Sequence, residues 1–316
     1  MNKISRRSFL YLIALTSLAL CSSCTDNSEK EGDSSVSVDK FPRPLKSSTD
    51  IYVYSSSDIS KAIDELPEHL TRFADGRRIV SSGDRVLIKP NLVVGRRPEY
   101  AANTHPLLVA KMVEICKDLG AREVIVTDNP TSDARNAFLS SGMKSAVEKA
   151  GGRVVYLNDY DFVEVKIKDG VSLKTARVAK IAFEVDVMVN MPIAKHHGLA
   201  GITASLKNMM GLMADPRGFM HIEFPEKICD LNQILKPSIT ILDATRVLLR
   251  NGPTGGNLQD VEVKNTVVIG TDPVKVDSLA ALLIGNDPLS IPHLVRAEER
   301  GLGKIIKSVE EVEKHQ

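Results

Sequence analysis

A chain of 316 residues, 43% apolar and 26% charged, has globular composition and enough length for a substantial core. Its formal charge of +1 becomes −2 once residues 1–23 are set aside, because Lys3, Arg6 and Arg7 leave and no acid leaves with them. That balance argues against a nucleic-acid binder, which needs a basic face, and aromatics at 4% with no tryptophan leave no stacking platform for bases or sugars.

Residues 1–24 have the parts of an export signal. Lys3, Arg6 and Arg7 precede an apolar stretch from Phe9 to Leu20, too short to span a bilayer comfortably. Ser5-Arg6-Arg7-Ser8-Phe9-Leu10 resembles a twin-arginine signal; the alternative is an ordinary secretory signal with two neighbouring arginines. Leu20-Cys21-Ser22-Ser23-Cys24 is similar to a lipoprotein cleavage box, although Cys21 stands where an aliphatic residue is usual. Cleavage to a soluble periplasmic form and an uncleaved anchor are the alternatives. The expected partner is the twin-arginine export machinery. The expected location is periplasmic or the outer face of a membrane, with attachment only through the signal or a lipid on Cys24. Residues 25–49, polar and aperiodic, read as a disordered tether ahead of a single α/β domain over 50–316.

Past the tether, short apolar strands alternate with amphipathic helices. Strands are predicted at 51–54, 85–89, 123–127, 153–157, 185–190, 238–242 and 266–269. Helices are predicted at 57–73, 106–119, 137–150, 203–213, 225–235 and 273–283. The stretch 162–181 alternates differently and reads as an antiparallel hairpin on one edge. These spacings imply an α/β fold, a largely parallel sheet with helices on both faces. Cys116 shares a helical stripe with Val109, Met112, Val113 and Leu119, which places it in the core.

In open sheets of this kind, ligands bind beyond the carboxyl ends of the strands. Polar residues follow strand after strand here: Lys89-Pro90-Asn91, Asp128-Asn129-Pro130, Lys195-His196-His197 and Asp243-Ala244-Thr245. They read as one shared pocket. Its strongest segment is 195–211, where Thr203 is a plausible N-cap for a helix carrying Ser205, Lys207 and Asn208. An open helix start with two lysines suits phosphate or carboxylate; a capped surface helix with solvated lysines is the plainer alternative. His196 and His197, adjacent in an extended stretch, face opposite ways, so at most one enters the pocket. No Gly-x-Ser-x-Gly elbow, dinucleotide-binding glycine fingerprint or H-E-x-x-H pair is present, which disfavours a serine hydrolase, a dehydrogenase and a zinc protease.

The expected roles follow. Lys89, Lys195 and Lys207 bind a small anionic ligand, His105 or His196 moves protons, and Lys195 or Lys207 could itself serve as a base. Asn91 and Asn208, with Thr203 and Ser205, orient the ligand. Asp243 or Asp277 holds a lysine, a histidine or, with His221, a divalent metal. No iron–sulfur cluster is expected, since only Cys116 and Cys229 remain beyond the leader. The rival reading is a non-catalytic anion- or cofactor-binding lipoprotein.

Taken in order, several segments resemble the domain of unknown function 362 family. They are 84–92, Thr104-His105-Pro106, Lys195-His196, Thr203-Ala204-Ser205-Leu206-Lys207-Asn208 with Gly211, His221, Asp230-Leu231-Asn232, Leu242-Asp243, Gly252-Pro253, and Asp272-Pro273 with Asp277. The resemblance covers roughly 84–285. Many members of that family add ferredoxin-like cysteine clusters, which this sequence lacks. Lys275 also stands where the resemblance implies a small apolar residue.

Overall fold

Residues 40–312 are described by the computed structural model. The export signal, Cys24 and the first part of the expected tether lie outside the described residues. Residues 40–49, also expected as tether, run against the domain. Arg43 N–H donates to Asp186 O at 2.9 Å, Leu45 N–H donates to Ser238 O at 3.1 Å, and the Arg43 guanidinium pairs with Asp84. Backbone partners hold a stretch that has no apolar periodicity of its own.

Strand β1 (Ile51–Ser55) leads to α1 (Ile59–Asp64) and α2 (Leu66–Phe73). The single helix predicted over 57–73 becomes two because Pro67 is tolerated only in a first turn. Next come β2 (Arg85–Pro90), α3 (Pro106–Asp118) and β3 (Glu123–Val126). The helix predicted over 137–150 is also divided, into α4 (Ala134–Ser140) and α5 (Met143–Lys149), at Gly142, whose φ of 79° is left-handed. Then follow β4 (Arg153–Val154), β5 (Phe162–Lys166), β6 (Thr175–Ala179), α6 (Ile181–Glu184), β7 (Val187–Met191), β8 (Ile193–His197), β9 (Gly201–Thr203) and α7 (Ser205–Asn208). After them come α8 (Phe224–Ile234), β10 (Ile239–Leu248), β11 (Val261–Gly270), α9 (Pro273–Leu283) and α10 (Pro292–Glu299). Among the described residues no helix is long and apolar enough to cross a membrane.

The main sheet has the order β1-β11-β10-β7-β2-β3-β4. Strands β10, β7, β2, β3 and β4 are parallel neighbours, whereas β11 is antiparallel to both β10 and β1. Strand β8 continues from β7 and pairs with the far half of β10. The hairpin predicted within 162–181 forms from β5 and β6, but as a two-stranded sheet of its own. Its buried Val165, Ala176 and Val178 join one face of the core.

Strand β2 shows why the sheet is covered on both sides. Val86 and Ile88 pack with Leu70, Phe73, Met112 and Phe138, while Leu87 packs in a second cluster with Ile228, Leu231, Leu279 and Leu294. Successive side chains point to opposite faces, so a doubly covered strand must be apolar throughout. Each such side chain contributes about 1.5–3 kcal/mol by burial. Cys116 and Cys229 are buried free thiols in different clusters.

From β2 the chain moves outward to β3 and β4, then returns to lay β7 on the other side of β2. A reversal of strand order opens a crevice beyond the carboxyl ends of the two strands that flank it. The register pairs Lys89 with Asn190 at that point.

Candidate functional site

A cavity of about 580 Å³ lies at this crevice, lined by Lys89, Asp128, His197, Lys207, Arg217 and His221 among others. Lys89 follows Leu87 on the same face of β2 and is fully buried. Its Nζ stands 2.9 Å from Asp128 Oδ1 and donates to Pro90 O at 2.6 Å and Asn208 Oδ1 at 3.2 Å. Burial pulls the Lys89 pKa down, and the Asp128 carboxylate opposes that shift. Asp128 also accepts from the backbone N–H groups of Leu92 at 2.6 Å and Asn129 at 2.8 Å. A buried pair with this many partners can persist. Gly211 makes room for it, since a Cβ there would lie 1.9 Å from Asp128 Oδ1 and 2.6 Å from Lys89 Nζ.

Asn208 fastens α7 to the strand ends. Its Nδ2 donates to Lys89 O at 3.1 Å and Asn190 Oδ1 at 2.7 Å, and its Oδ1 accepts from Asn91 Nδ2 at 3.0 Å. The helix predicted over 203–213 is shorter than its periodicity suggests. Strand β9 runs through Thr203, α7 has four residues, and a 3₁₀ turn continues over Met209–Leu212. Thr203 is not its cap. Asp277, from α9, accepts from the N–H groups of Ser205 and Leu206 instead. A carboxyl group of the fold therefore fills the place expected for an anionic ligand. Burial pushes the Asp277 pKa up to about 8, against the two N–H donors.

Lys207 has different surroundings. Its Nζ lies 3.9 Å from Met210 Sδ and 5.8 Å from the centre of the Phe224 ring. Among the described residues no carboxylate pairs with it. Burial, and after it the Arg217 guanidinium, pull its pKa down to about 8. Arg217 is held by Asp215 Oδ1 at 2.8 Å and by the carbonyls of Asn129 and Met210 at 2.7 and 3.2 Å.

Two histidines complete the wall in complementary forms. His197 Nδ1 accepts from the N–H groups of Leu199 and Ala200, each at 3.2 Å, so the neutral ring carries its proton on Nε2. Burial first, then Lys207, depress its pKa to about 3. His221 Nδ1 faces Gly218 O at 3.4 Å, which leaves Nε2 as the acceptor, buried and without a partner among the described residues. Burial and then Lys207 lower the His221 pKa too. The rings form a column, with centroids 5.7 Å from His197 to His221 and 5.8 Å from His221 to Phe224. Asn91 Oδ1 and Thr203 Oγ1 are likewise buried without partners among the described residues, and both residues line the cavity. Buried polar atoms are almost always paired. These three unpaired atoms belong to residues that line one cavity.

The structure brings together Lys89, Asn91, Thr203, Lys207, Asn208 and His221 from the predicted set. It keeps six others out of the lining. Lys195 is buried behind it, with Nζ donating to Ala102 O and, at 3.1 Å, to Pro253 O; burial lowers its pKa well below the usual value. His196 Nδ1 accepts from Gly252 N–H at 3.2 Å; of the two adjacent histidines, the cavity receives His197. His105 is the N-cap of α3, its Nδ1 accepting from Leu107 N–H at 3.3 Å. Its backbone N–H donates to Asp243 Oδ2 at 2.7 Å, and Thr245 N–H donates to Asp243 Oδ1 at 2.9 Å. Ser205 Oγ faces Thr240 Oγ1 at 3.1 Å. Asp243 and Asp277 are thus both engaged by the fold. Among the described residues no group of three His, Cys, Asp or Glu side chains is placed to hold a metal.

The sequence reading places Asp128 and His197 among the strand-end residues but gives them no role, and it leaves Arg217 out. Asp128 carries a signal, since it follows a strand within a polar run. The parity of His196 and His197 is legible, but which one faces the cavity is not. Arg217 sits in a turn with no pattern to mark it.

Fold and site together define an α/β domain with a cationic, histidine-walled cavity at a strand-order reversal. More narrowly, the chain belongs to the family described as Domain of unknown function (DUF362), whose model matches residues 86–282. It is also similar to the thylakoid-associated protein sll1697 of Synechocystis, at 27% identity over 239 residues, which cover 71% of this chain and 70% of that protein.

Proposed function

We propose that the cavity receives a small anionic substrate or cofactor, and that the chain is an enzyme that moves a proton on it. One observation carries this reading. Lys207 is a partly buried cation with, among the described residues, no carboxylate beside it, and withdrawing a charge from water is costly unless an opposite charge meets it. A ligand anion supplies that charge. Arg217 adds a second cation, while Asn91 and Thr203 orient the ligand through their unpartnered oxygens. Lys89, committed to Asp128, shapes the floor. His221 is neutral near pH 7 and takes a proton at Nε2; His197 gives one from Nε2. The roles expected for His105 and His196 pass to this pair.

A carrier would need the same cations but no proton-transferring histidine, and the free Nε2 of His221 favours the enzyme. The test is calorimetric titration of the wild type and Lys207→Met with inorganic phosphate and a series of small mono- and dicarboxylates. The wild type alone should respond; equal responses would remove Lys207 from the account. For any ligand found, His221→Asn should keep binding and lose turnover.

We also propose export with a lipid anchor at Cys24, on the leader residues alone. Replacing Arg6 and Arg7 with lysine should retain the protein inside the cell. Cys24→Ser should release it from the membrane fraction.

A further inference from the structure

We infer that Lys207 is a nucleophile and that its ligand is a 2-oxo acid or a similar carbonyl-bearing carboxylate, held as a Schiff base. This rests on the cavity being an anion site and narrows the ligand to a class.

Three lysines meet around the crevice, Lys89 and Lys195 fully buried and Lys207 partly so, and their partners separate them. Lys89 Nζ has Asp128, Pro90 O and Asn208 Oδ1 for its protons. Lys195 Nζ has two backbone carbonyls and lies behind the lining. Lys207 Nζ lines the cavity and has a thioether at 3.9 Å and the face of Phe224. Among the described residues it has no oxygen acceptor. An ammonium is stabilised by oxygens that accept its protons, and this site offers sulfur, a ring and a neighbouring guanidinium. Such surroundings favour the free amine, the form that attacks carbonyl carbon. The pKa of about 8 agrees. The Arg217 guanidinium gives the carboxylate its counter-ion.

The chemistry balances within the cavity. The Lys207 amine attacks the carbonyl carbon; a C–N bond forms as the C=O π bond opens onto oxygen. His197 Nε2–H protonates that oxygen and regains its proton from the nitrogen. The second amine proton passes through His221 Nε2 to the same oxygen, and the C–O bond breaks to release water. Both original N–H protons leave in that water, and the C=N bond remains.

The experiment treats the full chain with glyoxylate or pyruvate and sodium cyanoborohydride, followed by intact-mass analysis and peptide mapping. Binding of the same acids is measured in parallel by calorimetry without reductant. One adduct on the peptide that holds Lys207 is expected, with a yield that rises through pH 8. Lys207→Arg, which keeps the charge, should bind the acid and form no adduct. His221→Asn should slow trapping at least about tenfold with affinity unchanged, and it carries the test if the arginine variant fails to fold. Binding without an adduct at Lys207 overturns the Schiff base and leaves the anion site standing. Neither binding nor adduct overturns both. Adducts scattered over surface lysines overturn the assignment to Lys207.

Discussion

Lys89 Nζ and Asp128 Oδ1 lie 2.9 Å apart, with neither side chain more than 4% exposed. They stand at the ends of neighbouring parallel strands, and Gly211 lets α7 and its following turn close over them. The pair fixes where Asn208, and through α7 Lys207, can sit.

The two halves of the pair differ in cost. Asp128→Ala leaves a buried ammonium unmatched and also strands the N–H groups of Leu92 and Asn129, so it should destabilise by about 3–5 kcal/mol. Lys89→Met leaves a carboxylate that still has those two donors, and should cost less. Urea unfolding of the two variants checks the order. An equal or reversed order would mean that the backbone donors contribute nothing.

Much of this was legible in residues. The strand runs around Leu87 and Val189 are apolar and bounded by turn residues, so parallel pairing follows from composition and spacing. The strand-end rule located Lys89 and Asn91, and the polar segment 195–211 supplied Lys207 and Asn208. Where the reading failed, distant contacts decided. The period of 203–213 runs on past α7, but Asp277, far along the chain, takes the helix start. His105 looks catalytic in its motif and is spent on capping α3. Arg217 is drawn in by carbonyls that no local pattern announces.

Lys207→Met should stabilise the ligand-free protein. The unfolded chain keeps the lysine proton up to about 10.5 and the folded chain gives it up at about 8, so folding is penalised fully below pH 8. The variant should gain about 1–3 kcal/mol at pH 7. That gain should shrink as pH rises from 8 toward 10, because the unfolded state then binds more protons than the native one. Thermal melts across that range measure it; a variant less stable than wild type at pH 7 would show that Lys207 is already compensated.

Acid should destabilise the fold through histidine. Burial holds His197 and His293 to about 3, against 6.5 for the ordinary ring. Below pH 6.5 the unfolded chain takes protons that the native chain refuses, so stability falls as pH drops toward 3. Each ring contributes up to about 1.4 kcal/mol per pH unit. His293→Leu should flatten the slope of urea midpoints between pH 7 and 5. An unchanged slope would assign the acid sensitivity elsewhere.

The most direct test is an NMR titration of Nζ in isotopically labelled lysine, with Lys207 assigned through Lys207→Arg. The free protein should give a midpoint near pH 8 for that residue, and inorganic phosphate or a bound carboxylate should raise it, since an anion that binds the ammonium must favour it. A midpoint at the ordinary lysine value, unmoved by any anion, would contradict the assignment of this cavity as an anion site.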